Sequence, residues 1–332
     1  MPPVRSTFSL VCLVLAASWL GGCVSEIATP GPTIAPAVQA DDAFTMPDGM
    51  RLPFRSWLPE SAPTAVVLAL HGINDSRDAW EIPAPDFAAA GIAVYAPDQR
   101  GFGATAARGF WPGGDALADD AATMARLLRA RYPGVRLILL GESMGAAVLM
   151  HMATRRDPPD VDGYLLLAPA VWGRAAMNSF LRSLLWLASN TVPGMELTGQ
   201  GLKVTPSDNT EALMRLSTDP LSLRRTRVDT VRGLVDLMDA ALAAALEFDA
   251  PALLMYGAKD ELIPPRATAV TWHRLPPSSR RAFYSTGYHL LFRDLGRQVP
   301  IDDAIAWIIA PNTPLPSSAE SAAAFWLKQQ SP

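Results

Sequence analysis

Apolar residues in this chain come in short unbroken runs. From Thr64 onward such runs recur at residues 65–70, 92–96, 137–140, 164–167, 252–256 and 281–284, separated by longer stretches of helical character. Runs without polar alternation have no wet face, so they predict strands of a mostly parallel sheet covered by helices on both sides, an α/β fold. Ahead of them, residues 44–46 and 51–57 flank Pro47-Asp48-Gly49, the chemistry of a tight turn, which predicts an antiparallel hairpin. Between Pro169 and Ala252 the gap is much longer than a crossover needs, so a helical cap is expected at about residues 173–248. Inside it Met177, Phe180, Leu181, Leu184 and Leu185 follow i, i+3, i+4, i+7, i+8 spacing, and Val231, Leu234, Val235, Met238 and Leu242 form a second stripe. Either stripe is explained by core packing. Trp186 and Leu187 extend the first beyond one face, which leaves Phe180, Leu184 and Trp186 as candidates to line an acyl-chain site.

Composition narrows the partners. At 332 residues, 49% hydrophobic and 18% charged, the chain can bury a large core. A net charge of −4, with no Lys/Arg cluster interleaved with aromatics, argues against nucleic acid. His71, His151, His273 and His289 are widely spaced and form no metal-ligand motif with Cys12 or Cys23, so no metal site is expected. Oligomeric state cannot be read from these features.

The N-terminus reads as a signal peptide, residues 1–22: Arg5, then an apolar stretch at 8–20 too short for an ordinary membrane span, then small residues. It ends Leu20-Gly21-Gly22-Cys23, which resembles the lipobox of bacterial lipoproteins. That resemblance implies cleavage before Cys23, lipid on its thiol, a membrane anchor at the cell envelope and, from Val24, the outer membrane. An ordinary secretory signal or a membrane anchor with an incidental Cys23 is the alternative. Residues 23–40, rich in Pro, Gly, Ala and Thr, are expected to be a flexible tether to a domain spanning 41–312. The tail, 313–332, is Pro/Ser/Ala-rich up to Phe325-Trp326-Leu327 and suggests no function.

The chemistry centres on Gly141-Glu142-Ser143-Met144-Gly145, where an apolar strand stops abruptly and a helical pattern begins. A serine thrown out of a strained strand-to-helix turn tolerates only glycine two positions to either side, because a Cβ there would strike strand or helix. The turn also puts the Met144 N–H at a helix N-terminus, aimed where an oxyanion would form. An acid and a histidine should follow Ser143 in that order. His71 and His151 precede any such acid; His273 lies within a helical stretch, whereas His289 follows a strand through Ser285-Thr286-Gly287, in a loop suited to presenting a base.

His71-Gly72, Asp98-Gln99-Arg100-Gly101-Phe102-Gly103, Gly141–Gly145, Gly257-Ala258-Lys259-Asp260 and Gly287-Tyr288-His289 stand in an order that resembles the α/β-hydrolase superfamily, and within it the monoacylglycerol lipase, lysophospholipase and S33 aminopeptidase-like branch. The resemblance implies Ile73 as second oxyanion donor beside Met144, Asp260 as the acid with Glu261 as alternative, and Arg100 and Asp98 bracing the site. It further implies a Ser143–His289–Asp260 acyl-enzyme mechanism on a lipid or small ester, which needs no cofactor. Glu142 stands where lipases often carry His. Esterase, thioesterase and peptidase activities therefore stay open, as does a catalytically silent binding protein of this fold.

Overall fold

The computed structural model describes residues 25–199 and 203–330. Its sheet has nine strands in the order β1-β2-β3-β5-β4-β6-β7-β10-β11. These are β1 (Val38–Gln39), β2 (Ala43–Thr45), β3 (Arg51–Trp57), β4 (Ala65–Leu70), β5 (Ile92–Pro97), β6 (Arg136–Glu142), β7 (Gly163–Leu167), β10 (Ala252–Gly257) and β11 (Arg280–Tyr284). From β1 to β3, and from β3 to β5, pairing is antiparallel; every pair beyond is parallel. The six apolar runs are thus all strands. Their buried side chains divide by parity: Val66, Leu68 and Leu70 enter one core, while Ala65, Val67 and Ala69 enter the other. Burial on both faces is why no polar alternation survives in them.

Among the described residues nine α-helices accompany the sheet: α1 (Ala84–Ala89), α2 (Gly114–Arg131), α3 (Met144–Ala153), α4 (Ser179–Thr191), α5 (Thr210–Thr218), α6 (Val228–Ala244), α7 (Pro265–Arg274), α8 (Gln298–Ile309) and α9 (Ala319–Gln329). α2, α3, α6 and α7 fill one core; α1 and α8 fill the other. Between β7 and β10 the chain also forms a two-stranded antiparallel ribbon, β8 (Glu196–Thr198) with β9 (Arg225–Arg227).

The two cap stripes have different fates. On α6, Val235, Met238 and Leu242 are buried, and this helix packs on α3 as part of the main core. On α4 only Ser189 is buried.

Two expected boundaries shift. Residues expected to form a flexible tether lie against the domain: Ala28 N–H donates to Trp111 O at 3.0 Å, Gly31 N–H to Asp48 Oδ2 at 3.2 Å and Ile34 N–H to Pro47 O at 2.8 Å. The tail is likewise part of the fold, because β11 is an edge strand and its ring-bearing face needs a cover. Trp326 of α9 stacks on Phe283 at 5.0 Å between ring centroids and meets Trp272 edge-on at 5.2 Å, while Glu320 pairs with Arg280 at 2.6 Å. Truncating so buried an indole leaves a cavity against three rings. Trp326→Ala should therefore cost about 3–5 kcal/mol in urea unfolding, and a loss under about 1 kcal/mol would show that α9 only rests on the surface.

Candidate active site

β6 ends and α3 begins at Ser143, whose backbone sits at φ 54°, ψ −112°, a region that non-glycine residues rarely occupy. Surrounding hydrogen bonds hold it there: Ser143 N–H donates to Leu167 O at 2.9 Å, and Ser143 O accepts from Ala170 N–H at 3.0 Å and Ala147 N–H at 3.1 Å. Both flanking glycines are sterically required. A Cβ on Gly145 would come within 2.3 Å of Leu70 O, and one on Gly141 within 2.5 Å of Ala146 N. This close approach of β4, β6 and α3 brings the loop after β4 beside the serine, where a Cβ on Gly72 would stand 3.4 Å from Ser143 Cβ.

That loop is locked from below. His71 is fully buried; its Nδ1 lies 2.7 Å from Gly72 O, and its Nε2 accepts Gln99 N–H at 3.1 Å, so the proton belongs on Nδ1. Gln99 Nε2 donates back to His71 O at 2.7 Å. Asp98 accepts the Arg77 N–H at 2.8 Å and its guanidinium, and Arg100 forks onto Asp120 and Asp48. The Asp98–Gly103 turn therefore braces the loop that carries Ile73. Met144 opens α3, where a helix amide has no intrahelical acceptor.

β10 and β11 deliver the acid and the histidine. His289 Nδ1 is 2.8 Å from Asp260 Oδ2, both residues buried. The other Asp260 oxygen accepts the N–H groups of Leu262 and Ile263, each at 2.8 Å, which fixes the carboxylate's orientation. Glu261 points elsewhere and accepts Thr205 N–H at 2.6 Å. Of the other histidines, His151 pairs with Asp115 on the surface, and His273 is exposed on α7 beside Gln330 O.

Arg293 is the residue that sequence reasoning missed. Buried four positions after His289, it donates to Asp75 Oδ2 at 2.8 Å and to Glu142 Oε1 at 2.5 Å. One guanidinium thus joins the loop after β4, the serine turn and the histidine loop. No spacing rule pairs positions so far apart in the chain. The only hint was Glu142, a carboxylate lodged between apolar strand and serine, which had to be neutralised. Asp294 steadies the same loop, accepting Tyr288 N–H at 2.7 Å and the Ser207 hydroxyl at 2.6 Å, and burial pushes its carboxyl up to about 6.

For His289, burial is the largest influence and disfavours the imidazolium. The charge and hydrogen bond of Asp260, aided by the charge of Glu142, outweigh it and the opposing Arg293, so the imidazole pKa lies above its ordinary value. Among the described residues no group of three or more His, Cys, Asp or Glu side chains is placed to hold a metal ion.

The cap residues depart from expectation. Phe180, Leu184 and Trp186 are 72%, 48% and 66% exposed, on the outside of α4 rather than along an enclosed acyl channel. The amphipathic spacing was real. What it could not show is which neighbour, if any, covers the apolar face. Cys23 lies outside the described residues.

Similar proteins place this geometry. The chain is 24% identical over 277 residues to a monoacylglycerol lipase of Mycolicibacterium smegmatis, covering 82% of this chain and 98% of that one. It is 27% identical over 256 residues to the monoglyceride lipase of Mus musculus, covering 75% and 82% respectively. In three dimensions it superposes on a soluble variant of the monoglyceride lipase from Saccharomyces cerevisiae with a TM-score of 0.68 at 19% identity, over 86% of this chain and all of that one, which shows the α/β-hydrolase fold. Residues 61–296 match the family described as serine aminopeptidase, S33. Since that span takes in the strained serine, the acid turn and the histidine loop alike, the chain belongs to the serine aminopeptidase S33 family.

Proposed function

We propose that this serine ester hydrolase cleaves mono-acyl lipids, monoacylglycerol or lysophospholipid, through Ser143, His289 and Asp260. The observation that carries this reading is the buried His289–Asp260 pair presented with a serine held in strained backbone at the head of α3. In this mechanism Asp260 keeps the His289 proton on Nδ1, leaving Nε2 to take the Ser143 proton as its oxygen attacks the ester carbonyl. The Ile73 and Met144 N–H groups receive the oxyanion, the alcohol leaves with the proton from His289, and water releases the acyl group by the same path.

The lipid part of the reading draws on relatives named for monoacylglycerol. The site supports it over an aminopeptidase, which needs a free carboxylate to grip the substrate's ammonium group. Of the buried carboxylates on the loops around Ser143, Asp260 is committed to His289, and Glu142 and Asp75 are both engaged by Arg293. We further propose that Cys23 carries lipid and anchors the enzyme to the envelope, at the outer membrane; this draws on the lipobox resemblance alone.

Ser143→Ala should abolish fluorophosphonate labelling and lower ester turnover by several orders of magnitude while the melting temperature is kept. Substantial turnover in that variant would sink the mechanism. Across esters of increasing chain length, the wild type should prefer long-chain monoacylglycerols to acetates; a preference for aminoacyl substrates would move it to the peptidase reading.

The raised His289 pKa sets a pH dependence. The base works only when neutral, so kcat/KM should fall as pH drops, with its midpoint above 6.5. Glu142→Gln removes a negative charge that favours the imidazolium and leaves the Arg293 charge in place, so the midpoint should move to lower pH. A pH–rate profile that does not move would show that the Glu142 charge fails to reach the imidazole.

A further inference from the structure

Two polar seams, one on each side of α5, join the cap to the catalytic loops. On the N-terminal side Thr205 N–H donates to Glu261 Oε2 at 2.6 Å, in the turn that carries Asp260. Leu290 N–H donates to Pro206 O at 2.9 Å, and the Ser207 hydroxyl to Asp294 Oδ1 at 2.6 Å, along the loop that carries His289. On the C-terminal side the partner is the loop after β4. The Ser76 hydroxyl donates to Asp219 Oδ2 at 2.9 Å, Leu223 N–H to Asn74 O at 2.8 Å, and Asn74 Nδ2 to Thr226 Oγ1 of β9 at 2.6 Å.

Asn74 destabilises its own position twice. Its backbone lies in the left-handed region, φ 62°, which glycine enters more freely than any residue with a Cβ. Its Oδ1 is buried with no partner among the described residues, an acceptor that water would otherwise satisfy. Glycine would avoid both penalties and keep the bond from Leu223, which uses only the main chain. What glycine cannot supply is the amide on Thr226. That amide stands beside Ile73, whose N–H shares one planar peptide unit with Gly72 C=O. His71 Nδ1, 2.7 Å away, holds Gly72 O from the core, but a single hydrogen bond leaves the unit free to tilt. The next fixed point along the chain is Asn74, and the cap fixes it.

We propose that Asn74 is a positioning residue: through its amide on Thr226, the cap aims the Ile73 N–H at the oxyanion. The inference rests on the proposed role of Ile73 as an oxyanion donor. Such a donor acts chiefly once negative charge has developed on the carbonyl oxygen, so the Asn74–Thr226 bond works on the transition state and not on ester binding.

The test breaks that bond from either end in purified full-length protein. Asn74→Gly keeps the left-handed backbone, and Thr226→Val keeps the β-branched shape. Each is assayed on a soluble monoester and titrated with an alkyl trifluoromethyl ketone, which adds to a catalytic serine as a tetrahedral oxyanion. Both variants should lower kcat about tenfold, less than outright removal of a donor, with KM and melting temperature kept and the ketone weakened by a similar factor. The double variant should be no worse than either single one, because both break one bond, and Thr226→Ser should restore kcat. Unchanged kcat and ketone affinity in the single variants overturn the proposal, as does a loss confined to KM. Losses that multiply in the double variant, or a fall in melting temperature with ketone affinity kept, overturn it in favour of a structural role. Wild-type protein that forms no ketone adduct overturns the Ser143 reading and this proposal together, whereas an adduct equally tight in wild type and variants overturns the role of Asn74 alone.

Discussion

The fork of Arg293 between Asp75 and Glu142 is the constraint on which the site's geometry depends. Three loops from three strand ends must hold the serine turn, Gly72 and Ile73, and His289 in register, and apolar packing beneath them does not set their polar tips. A buried guanidinium does, because removing any one partner strands a charge out of water, at a cost of about 3–5 kcal/mol. The same cluster reaches His289 electrostatically: Glu142 favours its imidazolium and Arg293 opposes it.

A strained serine needs such support. Its positive φ costs on the order of 1–3 kcal/mol and is held by hydrogen bonds to Leu167, Ala170 and Ala147, from β7, the loop after it and the helix the serine begins. The close contact of Gly145 with Leu70 O ties the serine turn to β4, so Ser143 and the loop after β4 cannot move apart without breaking the centre of the sheet. Rigidity here contrasts with the cap, whose leading helix buries one residue and offers its apolar side outward.

The packing of residues 26–35 changes how the N-terminus is understood. Composition alone gave a Pro/Gly/Ala segment the properties of a linker. Yet its backbone groups find acceptors on Trp111, Asp48, Pro47 and Asp229, partners spread over the whole domain. Low side-chain content does not make a segment free when its amides are captured. The C-terminal tail makes the same point, since Trp326 fits a ring cluster assembled from β10, β11 and α7.

The sequence by itself determined what is local or periodic. The six parallel strands were legible because burial on two faces forbids polar alternation, the serine turn because its sterics demand Gly141 and Gly145, and the placement of His289 in a loop and His273 in a helix because one follows an apolar strand and the other a helical pattern. Asp260 was the choice over Glu261, which stayed open as the alternative. Tertiary structure turns one carboxylate onto His289 and the other onto Thr205 N–H. Structure alone also revealed Arg293, whose partners lie 218 and 151 positions away, and turned the α4 stripe outward where an inner wall was expected. Periodicity states that a helix has an apolar face, and local sterics state where a turn must be. What covers that face, and which distant charges meet, depends on how the chain closes on itself, and no window of sequence contains that information.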